Sequence, residues 1–365
     1  MPALQGRDPY PGQSGVRPVA ALSSPRVRLV LGLVLGLGLF AWFVATTEWR
    51  ALGQALVGLR LEYVALAAMV LLLEFVLRAI RWRILLGPVH PGVRVGALFH
   101  ATVIGAAVNT LLPARAGEVA RPLVAVRRTG APLAATVTTT VVERMFDLVG
   151  LLSVFLLMLA VLPTTDGPEG VLVRNLRRYG TLMGGAGVVG LGVLAVGSRR
   201  RERLHGWLAA ATRLLPGRLA SPVQRVLDGL VDGMTALSRP GHALLALLCT
   251  LALWMNGVLS IEILLAAFRI DLPLGAAAFT AVAIALTVVL PQAPGFVGVF
   301  HVAIEKTLVL WGLDTAPAKG FAMVFWGISF LPVTCLGLWA LWREGLSLGE
   351  VLMRPQATPR ASKRS

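Results

Sequence analysis

Long apolar stretches separated by short polar loops run through most of the chain. A membrane-spanning helix needs about 20 largely apolar residues, and six stretches qualify or nearly do: 29–46, 61–77, 133–162, 180–197, 241–267 and 320–342. Two further apolar stretches are interrupted, residues 93–128 by LLPARAGEVARP and residues 275–313 by PQAPGFVGVF. A broken helix at membrane depth is tolerated only where protein or a water-filled cavity surrounds it. We therefore predict an all-α polytopic transmembrane helical bundle, with about six full spans and two re-entrant broken-helix hairpins.

Composition supports a membrane protein and excludes a soluble one. Hydrophobic residues make up 56% of the 365 positions, charged residues make up 14%, and the mean hydropathy is +0.76. A soluble chain carries about 25% charged residues. The net charge of +16 does not indicate a nucleic-acid partner, because the arginines lie in short loops between apolar runs. Cys249 and Cys335 lie in apolar stretches without a CxxC motif, so we expect no disulfide, no metal and no cofactor.

The distribution of Lys and Arg predicts the orientation in the membrane. If both hairpins enter and leave on one side, the inside segments hold 25 of the 34 basic residues and the outside segments hold 7. If each hairpin crossed once instead, eight arginines in residues 198–240 would face outward. We therefore predict a multi-pass protein of the bacterial inner membrane, with cytoplasmic N- and C-termini.

The polar segments divide the chain into a membrane domain and two tails. Residues 1–28 predict a flexible cytoplasmic tail, residues 29–345 the transmembrane domain, and residues 346–365 a basic cytoplasmic tail. We interpret 29–46 as an uncleaved first span. Within the domain, residues 198–240 show apolar positions at helical spacing. These predict two amphipathic helices, which either lie on the cytoplasmic leaflet or pack against the ends of the spans.

The order of spans and hairpins repeats. Residues 61–162 form a span, a hairpin entering from inside and a second span, and residues 241–342 form the same unit with its hairpin entering from outside. Inverted repeats with broken helices that meet near the midplane are a transporter architecture. We therefore expect an inverted repeat and a site in the middle of the membrane.

The first hairpin carries dense polar chemistry: Asn109, Pro113, Arg115, Gly117, Glu118 and Arg121. Pro113 suits the first turn of a new helix, whose N-terminus would direct unpaired N–H groups into the protein. Arg115 and Arg121 add fork-shaped donors suited to phosphate. Glu118 would orient one arginine or carry a proton. The alternative is a structural Arg–Glu–Arg network that closes the cytoplasmic mouth of the hairpin.

The second hairpin contains two prolines and two glycines within eight residues, together with three polar candidates: Gln292, His301 and Glu305. His301 and Glu305 are four residues apart and share a helical face, so they could bind a headgroup or relay protons. The alternative is a satisfied polar pair at the outer interface.

Three charged residues lie within the stretch 133–162: Glu143, Arg144 and Asp147. Each ionised group at the bilayer centre costs on the order of 2.5–3.5 kcal/mol, so the three predict pairing or an aqueous cleft. Arg144 and Asp147, three apart, can pair directly. A structural ion pair near the cytoplasmic end is the alternative.

Charged residues also flank Trp82 at the end of the second span: Glu74, Arg78, Arg81 and Arg83. We interpret them as interfacial anchors, with contact to phospholipid as the alternative.

The segments LLPARAGEVARP, ERMFDL, PGFVGVF and RAIRWRIL resemble, in order and spacing, the lysylphosphatidylglycerol synthase transmembrane (flippase-like) family, over roughly residues 25–345. Members of that family move aminoacylated phosphatidylglycerol between leaflets or are linked to polyprenyl-glycan or hopanoid-lipid pathways. The resemblance implies that six residues are the family's recurring polar positions: Arg115, Glu118, Arg121, Glu143, Arg144 and Asp147. His301 stands where the family usually has Glu. Since the chain ends soon after Trp342, we expect no soluble aminoacyl-transferase domain.

Together these observations predict a lipid flippase-like transporter for a phosphate-bearing headgroup, of a phospholipid or of a polyprenyl or glycolipid. Its partners would be membrane lipids and an envelope-lipid biosynthetic protein, with no nucleic acid. The alternatives are a membrane-embedded glycosyltransferase and an accessory subunit of an envelope-lipid pathway. The candidate substrate-binding residues are Asn109, Arg115, Glu118, Arg121, Glu143, Arg144, Asp147, Gln292, His301 and Glu305.

Overall fold

The computed structural model describes residues 40–47, 49–112, 115–161, 240–289 and 293–345, with Val34, Gly38, Arg178 and Gly206. All regular structure in these ranges is helical. Residues 40–45 are helical, a single 3₁₀ turn lies at Pro294–Phe296, and nine α-helices follow residue 47: α1 Trp49–Val57, α2 Leu61–Leu86, α3 Val95–Leu111, α4 Ala116–Thr129, α5 Leu133–Val161, α6 Pro240–Ala267, α7 Leu274–Val289, α8 Val299–Leu310 and α9 Thr315–Arg343.

The prediction of an all-α helical bundle is confirmed for this part of the chain. Three of its helices, α2, α6 and α9, are long and apolar enough to cross a membrane. They correspond to three predicted spans, and α5, with 29 residues, to a fourth. The predicted span 180–197, nearly all of the amphipathic segment 198–240 and half of the span 29–46 lie outside the described residues.

Two predicted boundaries are wrong. Helix α2 does not end near residue 77 but continues to Leu86, since no helix breaker occurs before Gly87 and Pro88 and arginine is a good helix former. Helix α4 begins at Ala116 rather than at Pro113, because Arg115 has a left-handed backbone, with φ of 55° and ψ of 38°, that cannot continue a helix.

Helices α2 and α6 form the centre of the bundle and run antiparallel. The Arg60 amide, just before α2, donates to the carbonyl of Ala267 at the end of α6, at 3.1 Å. In the middle, Asn256 Nδ2 donates to the carbonyl of Val70, at 2.8 Å. This side-chain bond satisfies a polar group that would be expensive in an apolar interior.

The contacts among α2–α9 have twofold symmetry. When the helices of the unit α2–α5 are matched in order with those of the unit α6–α9, the packing of α3 on α9 corresponds to that of α7 on α5. The packing of α2 on α9 corresponds in the same way to that of α6 on α5. Each substantial contact within one unit likewise has its counterpart in the other. Because the equivalent helices α2 and α6 are antiparallel, the two units are inverted repeats, as the order of spans predicted.

Three apolar cores fill the described part of the bundle. The largest lies among α2 and α5–α9, around Ile261, Ile304 and Phe321. The second lies among α2, α3, α4 and α9, around Trp82 and Ile104, and the smallest lies among α2, α5 and α6, around Leu85 and Phe146. The charged residues described below therefore lie in a bundle that is otherwise packed with apolar side chains.

The broken ends of the two hairpins meet. The Arg115 side chain donates from Nη2 to the carbonyl of Val288 at the end of α7, at 2.9 Å. Across the same junction, Gly295 lies against the carbonyl of Thr110. Each tip holds a non-glycine residue in the left-handed region, Arg115 (φ 55°) and Phe296 (φ 57°). Such conformations persist only where the surrounding contacts determine them.

Helices α3 and α9 pack closely at Gly337. A Cβ added there would overlap the carbonyl oxygen of Val103 and the methyl of Ala107. Small residues of this kind let two helix backbones pack at short distance inside a membrane.

We predict that Gly337→Ala lowers the thermal unfolding midpoint in detergent, because overpacking against backbone costs about 1–3 kcal/mol. Gly257→Ala is the matched control, since a Cβ on that α6 residue meets open space and alanine favours a helix. Equal midpoints for both variants would contradict the close packing of α3 on α9.

Candidate functional site

Six charged side chains from α2, α4 and α5 form one continuous chain of alternating charge. In order of contact they are Arg121, Glu143, Arg81, Asp147, Arg144 and Glu118. Three arginines balance three carboxylates, so the chain is formally neutral. Balanced pairing of this kind is what permits charges in an apolar bundle.

A buried pair at one end of the chain joins Arg121 on α4 to Glu143 on α5. The guanidinium binds the carboxylate through both ends of its fork, Nη1 to Oε2 at 2.7 Å and Nη2 to Oε1 at 3.2 Å. The Cζ atom of Arg121 lies 4.0 Å from the ring centre of Trp82. The Trp82 Nε1 in turn donates to Thr139 Oγ1. A two-point ion pair and a cation–π contact hold Arg121 in one orientation.

Arg81 on α2 joins this pair to the rest of the chain. Its Nη1 donates to Asp147 Oδ1 at 2.6 Å and to Thr250 Oγ1, on α6, at 3.0 Å. Its Nε lies 3.7 Å from Glu143 Oε1. With 1% exposure, Arg81 is buried at the point where α2, α5 and α6 meet.

The outer end of the chain is accessible. Arg144 Nη2 binds both oxygens of Glu118, at 2.9 and 3.0 Å, and Nη1 lies 3.3 Å from Asp147 Oδ2. The Arg144 side chain is 49% exposed and that of Glu118 30%. This rim of the site can therefore exchange its internal partners for a ligand, whereas the buried pair cannot.

Arg115, at the tip of the first hairpin, adds a positive charge to this neutral chain. Its guanidinium is exposed and donates to a backbone carbonyl, that of Val288, rather than to a carboxylate. A cation with four remaining N–H donors at the junction of the two hairpins is suited to an anionic oxygen.

Asn109 has a structural partner. Its Oδ1 accepts the backbone N–H of Gly117 at 2.7 Å, so it caps the N-terminus of α4 from the end of α3. Gly105 and Gly117 allow the close approach, because a Cβ on Gly117 would overlap the carbonyl of Gly105 and the Asn109 amide. One of the N–H groups expected to face a ligand is thus bonded within the hairpin.

The candidates of the second hairpin lie apart from this chain. His301 and Glu305 are both buried on α8, with 3% and 1% exposure. The His301 ring lies among aromatic rings, 5.2 Å from Phe43 and 5.6 Å from Trp326 between centroids. Glu305 Oε1 binds Lys306 Nζ at 3.0 Å. Gln292 lies outside the described residues.

The sequence prediction differs from this geometry in two ways. The direct pairing of Arg144 with Asp147 is confirmed, but Glu118, expected to orient an arginine of its own helix, binds Arg144 on α5 instead. Arg81, interpreted as an interfacial anchor, is buried in the ion chain, so that interpretation is wrong for it. The apolar residues that follow Arg83, ILL, were the signal that the helix continues beyond the arginines.

We predict that Glu143→Gln lowers the free energy of unfolding by about 3–5 kcal/mol, because it leaves Arg121 and Arg81 buried without their shared carboxylate. Glu118→Gln, at the exposed rim, should cost about 1 kcal/mol or less. Thermal unfolding of both variants in detergent checks the ranking. Equal effects would show that the buried part of the chain does not determine stability.

Comparison with known proteins identifies the family. The family model described as "Lysylphosphatidylglycerol synthase TM region" matches residues 29–337. The chain is 31% identical, over 303 residues, to the "Glycosyltransferase AglD" of Haloferax volcanii, an alignment that covers 76% of this chain and 48% of that protein. It thus spans about half the length of that relative, and no solved structure matches it. The family match and the apolar helices together show a multi-pass membrane protein that belongs to the lysylphosphatidylglycerol synthase transmembrane-region family.

Proposed function

We propose that this protein binds the phosphate-bearing headgroup of a membrane lipid between its two hairpins and moves it from one leaflet to the other. The observation that carries the proposal is a neutral ion chain, buried at one end, whose exposed end is the pair Arg144–Glu118. An arginine outside the chain, the exposed Arg115, lies three residues before Glu118 at the hairpin tip. An intramembrane cluster of this kind is a functional-site hypothesis by default.

Arg115 and Arg144 are the groups best placed to contact the phosphate. Both guanidiniums are exposed, and planar donors suit phosphate oxygens. Arg121 was expected to share this role, but its guanidinium is bound by Glu143 and stacked on Trp82. We therefore assign Arg121 the positioning of α4.

The remaining residues of the chain would hold the site in shape. Arg81 ties α2 and α6 to α5 through Asp147 and Thr250. Asp147 in turn orients Arg144. A bound phosphate would replace Glu118 on Arg144, since that pair lies at the rim and surface pairs contribute only about 0–1 kcal/mol.

The inverted repeat supports movement between leaflets. When one of two similar, inverted units rocks against the other, the protein can adopt two equivalent conformations, one open to each side of the membrane. The contacts at the hairpin tips, such as Arg115 to Val288, lie where these arrangements would interchange. The lipid tails would remain in the bilayer while the headgroup crosses. The excess of basic residues in the inside segments supports a cytoplasmic location of both termini.

The comparisons support a lipid ligand of some kind. The family takes its name from the membrane region of a synthase whose product is a phospholipid, and the relative in Haloferax volcanii is named as a glycosyltransferase. A membrane region common to proteins of these two names is most simply explained by handling of a lipid. Because the chain covers 48% of that relative, glycosyl transfer is the second candidate. A glycosylated product from a polyprenyl-phosphate-linked sugar donor would favour it.

We predict that Arg144→Gln and Arg115→Gln each weaken binding of an anionic lipid by about tenfold or more, since a hydrogen bond to a charged group contributes about 1.5–3 kcal/mol. The measurement is lipid mass spectrometry on the purified protein, followed by translocation of labelled phospholipids and polyprenyl phosphates in proteoliposomes. Arg83→Gln removes an exposed arginine of α2 outside the chain and should leave both readouts within about twofold.

If Arg83→Gln weakens lipid binding equally, the effect of the other two substitutions is explained by general attraction between a positive surface and an anionic lipid. If folded wild-type protein moves no candidate lipid, the transport function is wrong.

A further inference from the structure

The second hairpin holds a buried acid and a buried base one helical turn apart. Within the described part of the chain, His301 Nδ1 and Glu305 Oε2 have no hydrogen-bond partner, although both residues are more than nine-tenths buried. Buried polar atoms without partners are rare, because each costs free energy. Two of them on one face of α8 need a physical reason.

These two residues lie close to the positions in the second unit that the ion chain uses in the first. Glu118 is the third residue of α4 and Arg121 lies three residues later; His301 is the third residue of α8 and Glu305 lies four residues later, so each pair shares one helical face. In the first unit, the equivalent side chains bind Arg144 and Glu143. In the second unit, the pair is left with one basic and one acidic group that each can take up or release a proton.

Among the residues that the structure describes, few charged groups face this pair. On α8 itself, Lys306 binds Glu305 Oε1 and lies 5.0 Å from the ring of Trp42. On α9, Lys319 is buried and donates to the carbonyl of Thr46 at 2.6 Å, and Asp314 precedes the helix. Neither α7 nor the segment 40–47 contains a charged residue.

We propose that Glu305, with His301 beside it, is a proton-binding site whose occupancy is coupled to movement of the lipid headgroup; this inference rests on the transport function proposed above. One proton from water adds to Glu305 Oε2 and turns the carboxylate into a neutral acid, and it leaves to the opposite side after the hairpin has moved. The neutral acid no longer attracts Lys306, so the proton changes the forces that hold α8 in place. Chains of intramembrane carboxylates and histidines serve this purpose in pumps and transporters.

Direct contacts join this pair to the headgroup site. The His301 ring packs on Trp326, and Trp326 Nε1 donates to the carbonyl of Gly295 at 2.7 Å. Gly295 lies at the junction of the tips, against Thr110, where Arg115 also crosses to the second hairpin. A shift of α8 on protonation would therefore act on the tip of the second hairpin, whose other arm Arg115 contacts at Val288.

The test imposes a pH difference of one unit across proteoliposomes that contain labelled phosphatidylglycerol. With one proton per lipid, wild-type protein should bias the distribution of the label between leaflets by up to about tenfold, and a protonophore should abolish the bias. Glu305→Gln, which keeps the shape but cannot be protonated, should let the label equilibrate without bias. His301→Gln should reduce the bias, and the exposed Glu62→Gln should behave as wild type.

A second measurement does not depend on transport. The infrared difference between wild type and Glu305→Gln should contain a protonated-carboxyl band that grows as the pH falls, with a midpoint that shifts when phosphatidylglycerol is added, because coupling between two ligands is reciprocal. If Glu305→Gln fails to fold, Glu305→Asp should shift that midpoint instead.

The outcomes separate the two proposals. If wild-type protein moves no lipid but the infrared band titrates, the transport function fails and the proton site stands. If lipid moves without regard to the pH difference, or if Glu305→Gln keeps the bias, the proton coupling is wrong. A midpoint that is the same with and without lipid would also overturn it.

Discussion

The packing of the first unit depends on the ion pairs made by the Glu143 carboxylate. This carboxylate binds Arg121 of α4 through two hydrogen bonds and lies beside Arg81 of α2, so one acidic group on α5 holds two other helices. In an apolar bundle such a group cannot be left alone, since an unpaired buried charge is strongly destabilising. Burial thus turns a charged side chain into a constraint on three helices. The hairpin cannot move away from α5 without replacing these bonds.

That constraint explains why the accessible chemistry lies at the end of the ion chain. Arg121 and Arg81 are buried and paired with carboxylates, whereas the Arg144 side chain keeps about half of its surface exposed. Since the chain is neutral, an anion arriving at Arg144 competes only with a rim carboxylate, and the rest of the network keeps its pairing. A site built this way can bind and release a charged group while the buried part of the bundle keeps its structure.

Much of the fold and part of the site could be predicted from the sequence. Apolar stretches of span length and the two Pro- and Gly-containing interruptions gave the helices, the hairpins and their inverted order. The pairing of Arg144 with Asp147 followed from local spacing. The buried position of Arg81 could not be predicted in this way. Hydropathy marks an arginine as the end of a span, whereas Arg81 is buried because it pairs with carboxylates 62 or more positions away in sequence. Likewise, the partner of Glu118 is decided by the packing of α4 on α5, which spacing along one helix cannot reveal.

The two units share their packing but differ in their polar residues, and this difference has a physical consequence. Where α4 presents a carboxylate and an arginine, α8 presents an imidazole and a carboxylate. A Glu–Arg set stays charged at every physiological pH, so it can only pair with or attract other ions. A His–Glu set can change its charge, and in the low dielectric of a bundle each change alters the neighbouring attractions strongly. On the function proposed above, symmetric packing would let both halves move alike, and the asymmetry of charge would let one half bind an anion while the other responds to protons. Because the tips touch at Arg115 and Val288, a movement of one hairpin would act directly on the other.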